Sequence, residues 1–269
     1  MCLAIIALNT LSKWPLIIVA NRDELHSRPT LPAEPWSDGE MILGGRDLTA
    51  GGTWLGMTAA GRIALLTNYR EPGKLRADAP SRGQLTDRYL RSHVLAKDYV
   101  QMLEQQGQSY NGFNLFVGDQ TDFWYCSNRG DAPSQRLDSG VMGISNASIN
   151  TPWPKLQRTQ NAVAEHLSRS EQPDPNHLFA IMQDLKPAQP HELPDTGIGA
   201  EREKLLSSPF IRDARYGTRC TTLIMKRMDG KVLFHEKRFD PQAQPNGESA
   251  WVIDTVQQKI LAMEQDFFQ

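Results

Sequence analysis

The chain has few cysteines, no long apolar run and almost no excess of charge, and each shortage closes off a class of function. Cys2, Cys126 and Cys220 are odd in number, widely separated and never part of a CxxC. Neither a disulfide framework nor a zinc site is therefore indicated, and a reducing compartment suits them. No stretch approaches the roughly 18 apolar residues of a membrane helix. The N-terminal apolar run lacks the basic leader of a secretory signal, so we expect a cytoplasmic protein with no integral membrane segment. A net charge of −2 gives no reason to expect a nucleic-acid partner. His26, His93, His166, His177, His191 and His235 are scattered without an HxxxH pair, so no metal site is expected. Gly44-Gly45 and Gly51-Gly52 form neither GxGxxG nor a phosphate loop.

What is present suits one folded domain. The chain has 269 residues, of which 39% are apolar and 22% charged, enough to bury a substantial core. Two short apolar runs, Leu3–Leu8 and Leu16–Ala20, read as a hairpin. Thr53–Thr58 with Arg62–Thr67, and Gly112–Val117 with Phe123–Cys126, predict two more, and Val141–Ser145 a further strand. A long hairpin, Thr218–Arg227 with Val232–Phe239, turns at Asp229-Gly230. Pro29, Pro32 and Pro35 predict an extended surface loop edging a pocket. Ser81–Gln105 reads as a helix capped by Ser81 and broken near Lys97-Asp98. Pro154–Ser168 and Pro175–Leu185 read as helices led by proline, followed by a short one near Ala200–Ser207. Ala250–Val256 and a C-terminal helix close the chain. Strands that arrive as hairpins, with helices gathered later, favour antiparallel sheets covered by helices, an α+β class.

The most informative stretch is the first. Removal of Met1 would leave Cys2 with a thiol and an α-amine on one carbon. With a pKa near 7.7–8.0, roughly a tenth of that amine is unprotonated at neutral pH and able to take the thiol proton. This is the nucleophile-plus-terminal-amine arrangement, which needs no histidine. The hairpin returns Asn21-Arg22-Asp23-Glu24 to the side of Cys2.

Met1-Cys2 with Asn21-Arg22-Asp23-Glu24 resembles the NRDE family, to which the transport and Golgi organisation protein 2-like proteins belong. Gly51-Gly52-Thr53-Trp54-Leu55-Gly56, Leu66-Thr67-Asn68-Tyr69, Tyr110-Asn111-Gly112-Phe113-Asn114, Asn128-Arg129-Gly130, Gly143-Ile144-Ser145-Asn146-Ala147, Thr151-Pro152-Trp153 and Tyr216-Gly217-Thr218-Arg219 follow in the family's order. The resemblance implies an N-terminal-nucleophile hydrolase-like αββα sandwich of two antiparallel sheets. In the cysteine branch of that fold, amides are hydrolysed through an acyl-enzyme. Matched to it, Cys2 is the nucleophile, Asp23 holds its amine, Asn146 resembles the oxyanion-hole residue, Asn68 a second donor, and Arg219 the late active-site arginine. The acylases read Arg-Asn-x-Asp where this chain reads Ala20-Asn21-Arg22-Asp23, and Arg22 is expected on the opposite strand face from the missing guanidinium.

Two functions follow. The first is a carrier that binds or traffics haem or an acyl lipid, with Asn21, Arg22, Asp23, Glu24, His26, Trp54 and Tyr69 as its ligand-binding set. The second is a cysteine amidohydrolase cleaving a linear amide at its carbon–nitrogen bond through a Cys2 acyl-enzyme. Neither requires a cofactor; haem would be a bound ligand. The partner expected is a small molecule, haem or an acyl compound.

Overall fold

The structure, a computed structural model, describes residues 2–38, 41–120, 122–130, 134–263 and 267. In chain order the strands are β1 (Cys2–Leu11), β2 (Trp14–Leu25), β3 (Thr30–Pro35), β4 (Ile42–Asp47), β5 (Leu55–Thr58), β6 (Ile63–Asn68), β7 (Phe113–Gly118), β8 (Phe123–Ser127), β9 (Gln135–Arg136), β10 (Gly140–Ile144), β11 (Tyr216–Lys226), β12 (Lys231–Phe239), β13 (Pro245–Asp254) and β14 (Lys259–Ala262). The helices are α1 (Gly83–Arg91), α2 (Ala96–Gln106), α3 (Pro154–Ser168), α4 (Pro175–Met182) and α5 (Ala200–Leu205). They build two seven-stranded sheets, ordered β10-β1-β2-β11-β12-β13-β14 and β3-β4-β5-β6-β7-β8-β9. Every pairing given for them is antiparallel.

Alternation along the strands explains the layering. The even residues Ala4, Ile6, Leu8 and Ile18 of the first sheet meet Leu43, Leu55 and Phe116 of the second in one core. The odd residues Leu3, Ile5, Ile17 and Val19 turn outward onto Leu156, Val163 and Phe179 of α3 and α4. On the far side, Ala64, Leu66 and Leu115 pack under Leu85, Tyr89, Val100 and Leu103 of α1 and α2. Each fully buried side chain of this kind contributes about 1.5–3 kcal/mol. The result is a helix–sheet–sheet–helix sandwich, the α+β class expected.

Three expectations change. The proline-rich segment is not all loop: Thr30–Pro35 is β3, the edge of the second sheet, with its register broken between Leu31 and Glu34. Prolines lack a donor and are tolerated at such an edge or bulge. The 81–105 helix is two, separated by residues 92–95, and the side chain of Ser81 does not cap it; its carbonyl instead accepts from the Gln84 N–H. Where a C-terminal helix was expected, Lys259–Ala262 is β14, paired with β13. The rest of that expected helix lies outside the described residues apart from Met263 and Phe267.

Candidate functional site

The site grows from the first hairpin. Its register sets Cys2 opposite Arg22 and Leu3 opposite Asn21. On the other side of β2, β11 sets Cys220 opposite Arg22 and Thr218 opposite Asp23, with a bulge between Thr218 and Cys220. Side chains two apart share a face. Arg22 therefore lies on the inter-sheet face with Ala20 and Cys2, not opposite to it as the sequence comparison suggested. Asn21 and Asp23 are the residues that face the helices.

Arg22 is 5% exposed. Its guanidinium carbon sits 4.3 Å from the centre of the Trp54 ring, and Nη2 lies 3.4 Å from Oδ2 of Asp47. Asp47 also accepts from Nε of Arg28 at 2.6 Å and from the N–H groups of Thr49 and Ala50. Burial opposes its charge, but these donors hold its carboxyl below the usual range. Trp54 can lie under Arg22 because β4 has glycine at 45: a Cβ there would meet the ring at 2.2 Å. Gly45→Ala is expected to push the ring off Arg22 and cost about 1–3 kcal/mol, as overpacked cores do; chemical denaturation measures it.

A cavity of about 460 Å³ opens here, lined by Cys2, Arg22, Asp23, Glu24, Trp54 and Asn68 and closed by the segments around Asp47 and Arg82. Cys2 is half-buried. Burial and the nearby Asp23 carboxylate raise its thiol above the ordinary value, against Arg22 and the Asp23 backbone N–H, which lower it. The α-amine that Met1 removal would create lies outside the described residues.

Other expected site residues are committed elsewhere. Asn21 is buried and bonds outward: its amide donates to the carbonyls of Met182 and Pro209 at 2.8 and 3.0 Å, and its Oδ1 accepts from Thr221 at 2.6 Å. Asn146 is fully buried and donates to the carbonyl of Asn68 at 2.9 Å, while its own carbonyl accepts from the Arg70 N–H. It joins the ends of β10 and β6 and does not line the cavity. The bulge in β11 places Arg219 over the chain leaving β2, where Nη1 donates to the carbonyls of Leu25 and Arg28. Nε2 of His26 is 3.0 Å from the Asp213 carbonyl. Tyr69 lies beyond the lining, its N–H bonded to the Gly112 carbonyl.

One residue that the sequence reading missed stands behind Asp23. Lys155, at the start of α3, is 2% exposed, and its Nζ has no hydrogen-bond partner among the described residues. Burial drops its pKa to about 8, with the Asp23 carboxylate the strongest influence in the other direction. Asp23 itself is 1% exposed and accepts from the Thr218 hydroxyl at 2.7 Å. Burial raises its carboxyl, and Lys155 is the leading charge that lowers it. A signal existed: Lys155, Thr159 and Val163 form one buried helical stripe, an odd place for a lysine.

The model of the family Transport and Golgi organisation 2 matches residues 1–241. The chain belongs to that family. The human transport and Golgi organization protein 2 homolog is 36% identical over 239 residues, covering 83% of this chain and 86% of that one. The Drosophila melanogaster transport and Golgi organization protein 2 is 25% identical over 259 residues, covering 87% and 89%. Among solved structures, the C2A mutant of conjugated bile acid hydrolase from Clostridium perfringens superposes with a TM-score of 0.51. At 9% identity, covering 99% of this chain and 97% of that one, it speaks for the fold alone. The transport and Golgi organisation 2 chain is thus built on an N-terminal-nucleophile hydrolase-like sandwich. No helix among its described residues is long and apolar enough to cross a membrane.

Proposed function

We propose that this family member is a binding and trafficking protein for haem or an acyl compound, using the cavity above Cys2 on a hydrolase-like scaffold. The observation that carries it is the disposition of hydrogen-bond donors. Amide hydrolysis needs donors aimed at a developing oxyanion, and losing one costs roughly 10²–10³ in rate. Of the matched groups, Asn68 lines the cavity, but the Asn146 amide and the Arg219 guanidinium are spent on backbone carbonyls outside it, and burial pushes the Cys2 thiol up. The amidohydrolase reading would need both to rearrange.

For haem, the fit rests on Cys2, the soft donor among the described residues of the lining. Thiolate ligation is one of the ways proteins hold haem iron. His26 is turned onto the Asp213 carbonyl and lies outside the lining. Ligation displaces the thiol proton, so affinity is expected to rise with pH toward the thiol's raised pKa.

Haemin titration of the full chain is expected to give a saturable Soret shift that is altered in position by Cys2→Ala and strengthened from pH 6 to pH 8. An acyl ligand would instead compete without a spectral change. Absence of saturable binding of haemin and of a fatty acid alike would reject the reading, and amide turnover abolished by Cys2→Ala would reverse it.

A further inference from the structure

The far wall of the cavity holds groups that neither haem ligation nor acyl transfer uses. Ser81, Arg82 and Gly83, at the start of α1, all line it. This nine-residue helix has no acidic residue in its first turn and no side-chain cap, so its positive end is not neutralised within the helix. Arg82 is half-buried and donates through Nη1 to the Gly112 carbonyl at 3.0 Å. Arg76, also in the lining, is held by the carbonyls of Gln108 and Ser109. Neither arginine has a carboxylate partner among the described residues. The carboxylates that share the lining have other neighbours: Asp47 is taken by Arg28 and Arg22, Glu24 lies 4.0 Å from Arg28, and Asp23 faces Lys155.

An independent observation points the same way. Nη1 of Arg22, a side chain of the same lining, is buried and has no hydrogen-bond partner among the described residues. A buried cationic donor left unmet is costly, and an incoming acceptor is the natural remedy.

We propose that Arg82, the N-terminal end of α1 and Arg22 form the seat for an anionic head group, phosphate or carboxylate, carried by the ligand of this cavity. Guanidinium groups pair with such oxygens through two parallel bonds, and the N–H groups at the start of α1 other than those given to the Ser81 and Arg82 carbonyls add to them. The inference rests on the cavity being a ligand site, but not on haem or on Cys2. The ligand would enter anion-first along the α1 wall and leave its apolar part toward Trp54 and Leu66.

Calorimetric titration of the full chain with pyrophosphate and, separately, with hexanoate tests this. Saturable binding of at least one anion is expected, weaker in high salt. Arg82→Gln should reduce that affinity about tenfold or more, and Arg82→Lys, which keeps charge but not the fork, by less. Binding of pyrophosphate alone identifies a phosphorylated ligand, and of hexanoate alone a carboxylate. If Arg82→Gln does not fold, Arg22→Gln takes its place in the comparison. No saturable binding of either anion, or equal affinity of wild type and the arginine variants, overturns the proposal. A chain that binds these anions and not haemin retains the seat and loses only the haem reading.

Discussion

Lys155→Met is expected to cost about 0.5–3 kcal/mol more in the wild type than in an Asp23→Asn background, the range of coupling between two interacting groups. The variant loses little packing, because methionine follows the same path as the lysine stem. What it removes is the leading charge that offsets a carboxylate at 1% exposure. Among the described residues Nζ makes no direct hydrogen bond, so the coupling is one of charge. Asp23→Asn should cost less: the amide keeps the Thr218 bond, and Lys155, already near 8, can give up its proton. The two changes combined are expected to cost less than the two single changes summed, since two neutral groups leave no charge uncompensated. Urea denaturation of the four proteins measures the coupling; a Lys155→Met cost that is the same in the wild-type and the Asp23→Asn backgrounds would contradict the pairing.

The same pair has a pH signature. Lys155 titrates lower in the fold than in the unfolded chain, near 8 rather than about 10.4. Between those values the unfolded chain holds more protons, so wild-type stability gains with rising pH relative to Lys155→Met. Toward acid the difference shrinks instead. Asp23, whose folded pKa is raised, accepts a proton early and no longer needs a counter-charge. Wild type then carries a lone buried cation, and the variant does not.

These residues show where the sequence was readable and where it was not. The first hairpin was legible because Leu3–Leu8 and Leu16–Ala20 are short apolar runs with a polar tip, and its register carries Arg22 to Cys2. The long β11–β12 hairpin was legible through Asp229-Gly230. β3 was hidden by Pro32 and Pro35, which argue against strand by local chemistry alone; edge position and a bulge override that. β14 is four residues with three exposed side chains, too short to show a period. The face of Arg22 was within reach of the sequence, since residues 20 and 22 must point the same way in an extended strand. The engagement of Asn146 and Arg219 was not, because it depends on which carbonyls the bulge and the strand ends present. Lys155 was half-legible: the stripe was visible, but only the fold shows that Asp23 lies behind it.

Glu71→Ala is expected to cost about 2–3 kcal/mol, through loss of a charge-assisted, mostly buried cluster. Glu71 is 9% exposed. Its Oε1 accepts from the Gly112 N–H at 2.6 Å and Nη2 of Arg129 at 2.9 Å, and Oε2 accepts from Nε of Arg129 at 2.5 Å. Removing the carboxylate strands both a buried N–H and a guanidinium, the latter partly rescued by solvent because Arg129 is 26% exposed. Glu71→Gln keeps one acceptor for Gly112 and should lose about half as much. Burial works against the charge of Glu71, but Arg129 and the Gly112 N–H hold its carboxyl below the usual range. A depressed carboxylate contributes fully above its unfolded pKa and loses that contribution as pH falls through the folded one. The difference between wild type and Glu71→Gln should therefore be constant from neutral pH down to about 5 and close below about 4. The cluster also has a place in the site: it anchors the segment that runs from Arg70 to Arg82 against β7 and β8, and that segment supplies Arg76 and Arg82 to the cavity wall. Loosening it should weaken pyrophosphate or hexanoate binding in Glu71→Ala while leaving the Cys2–Arg22 hairpin register intact, which amide exchange on β1 and β2 would show.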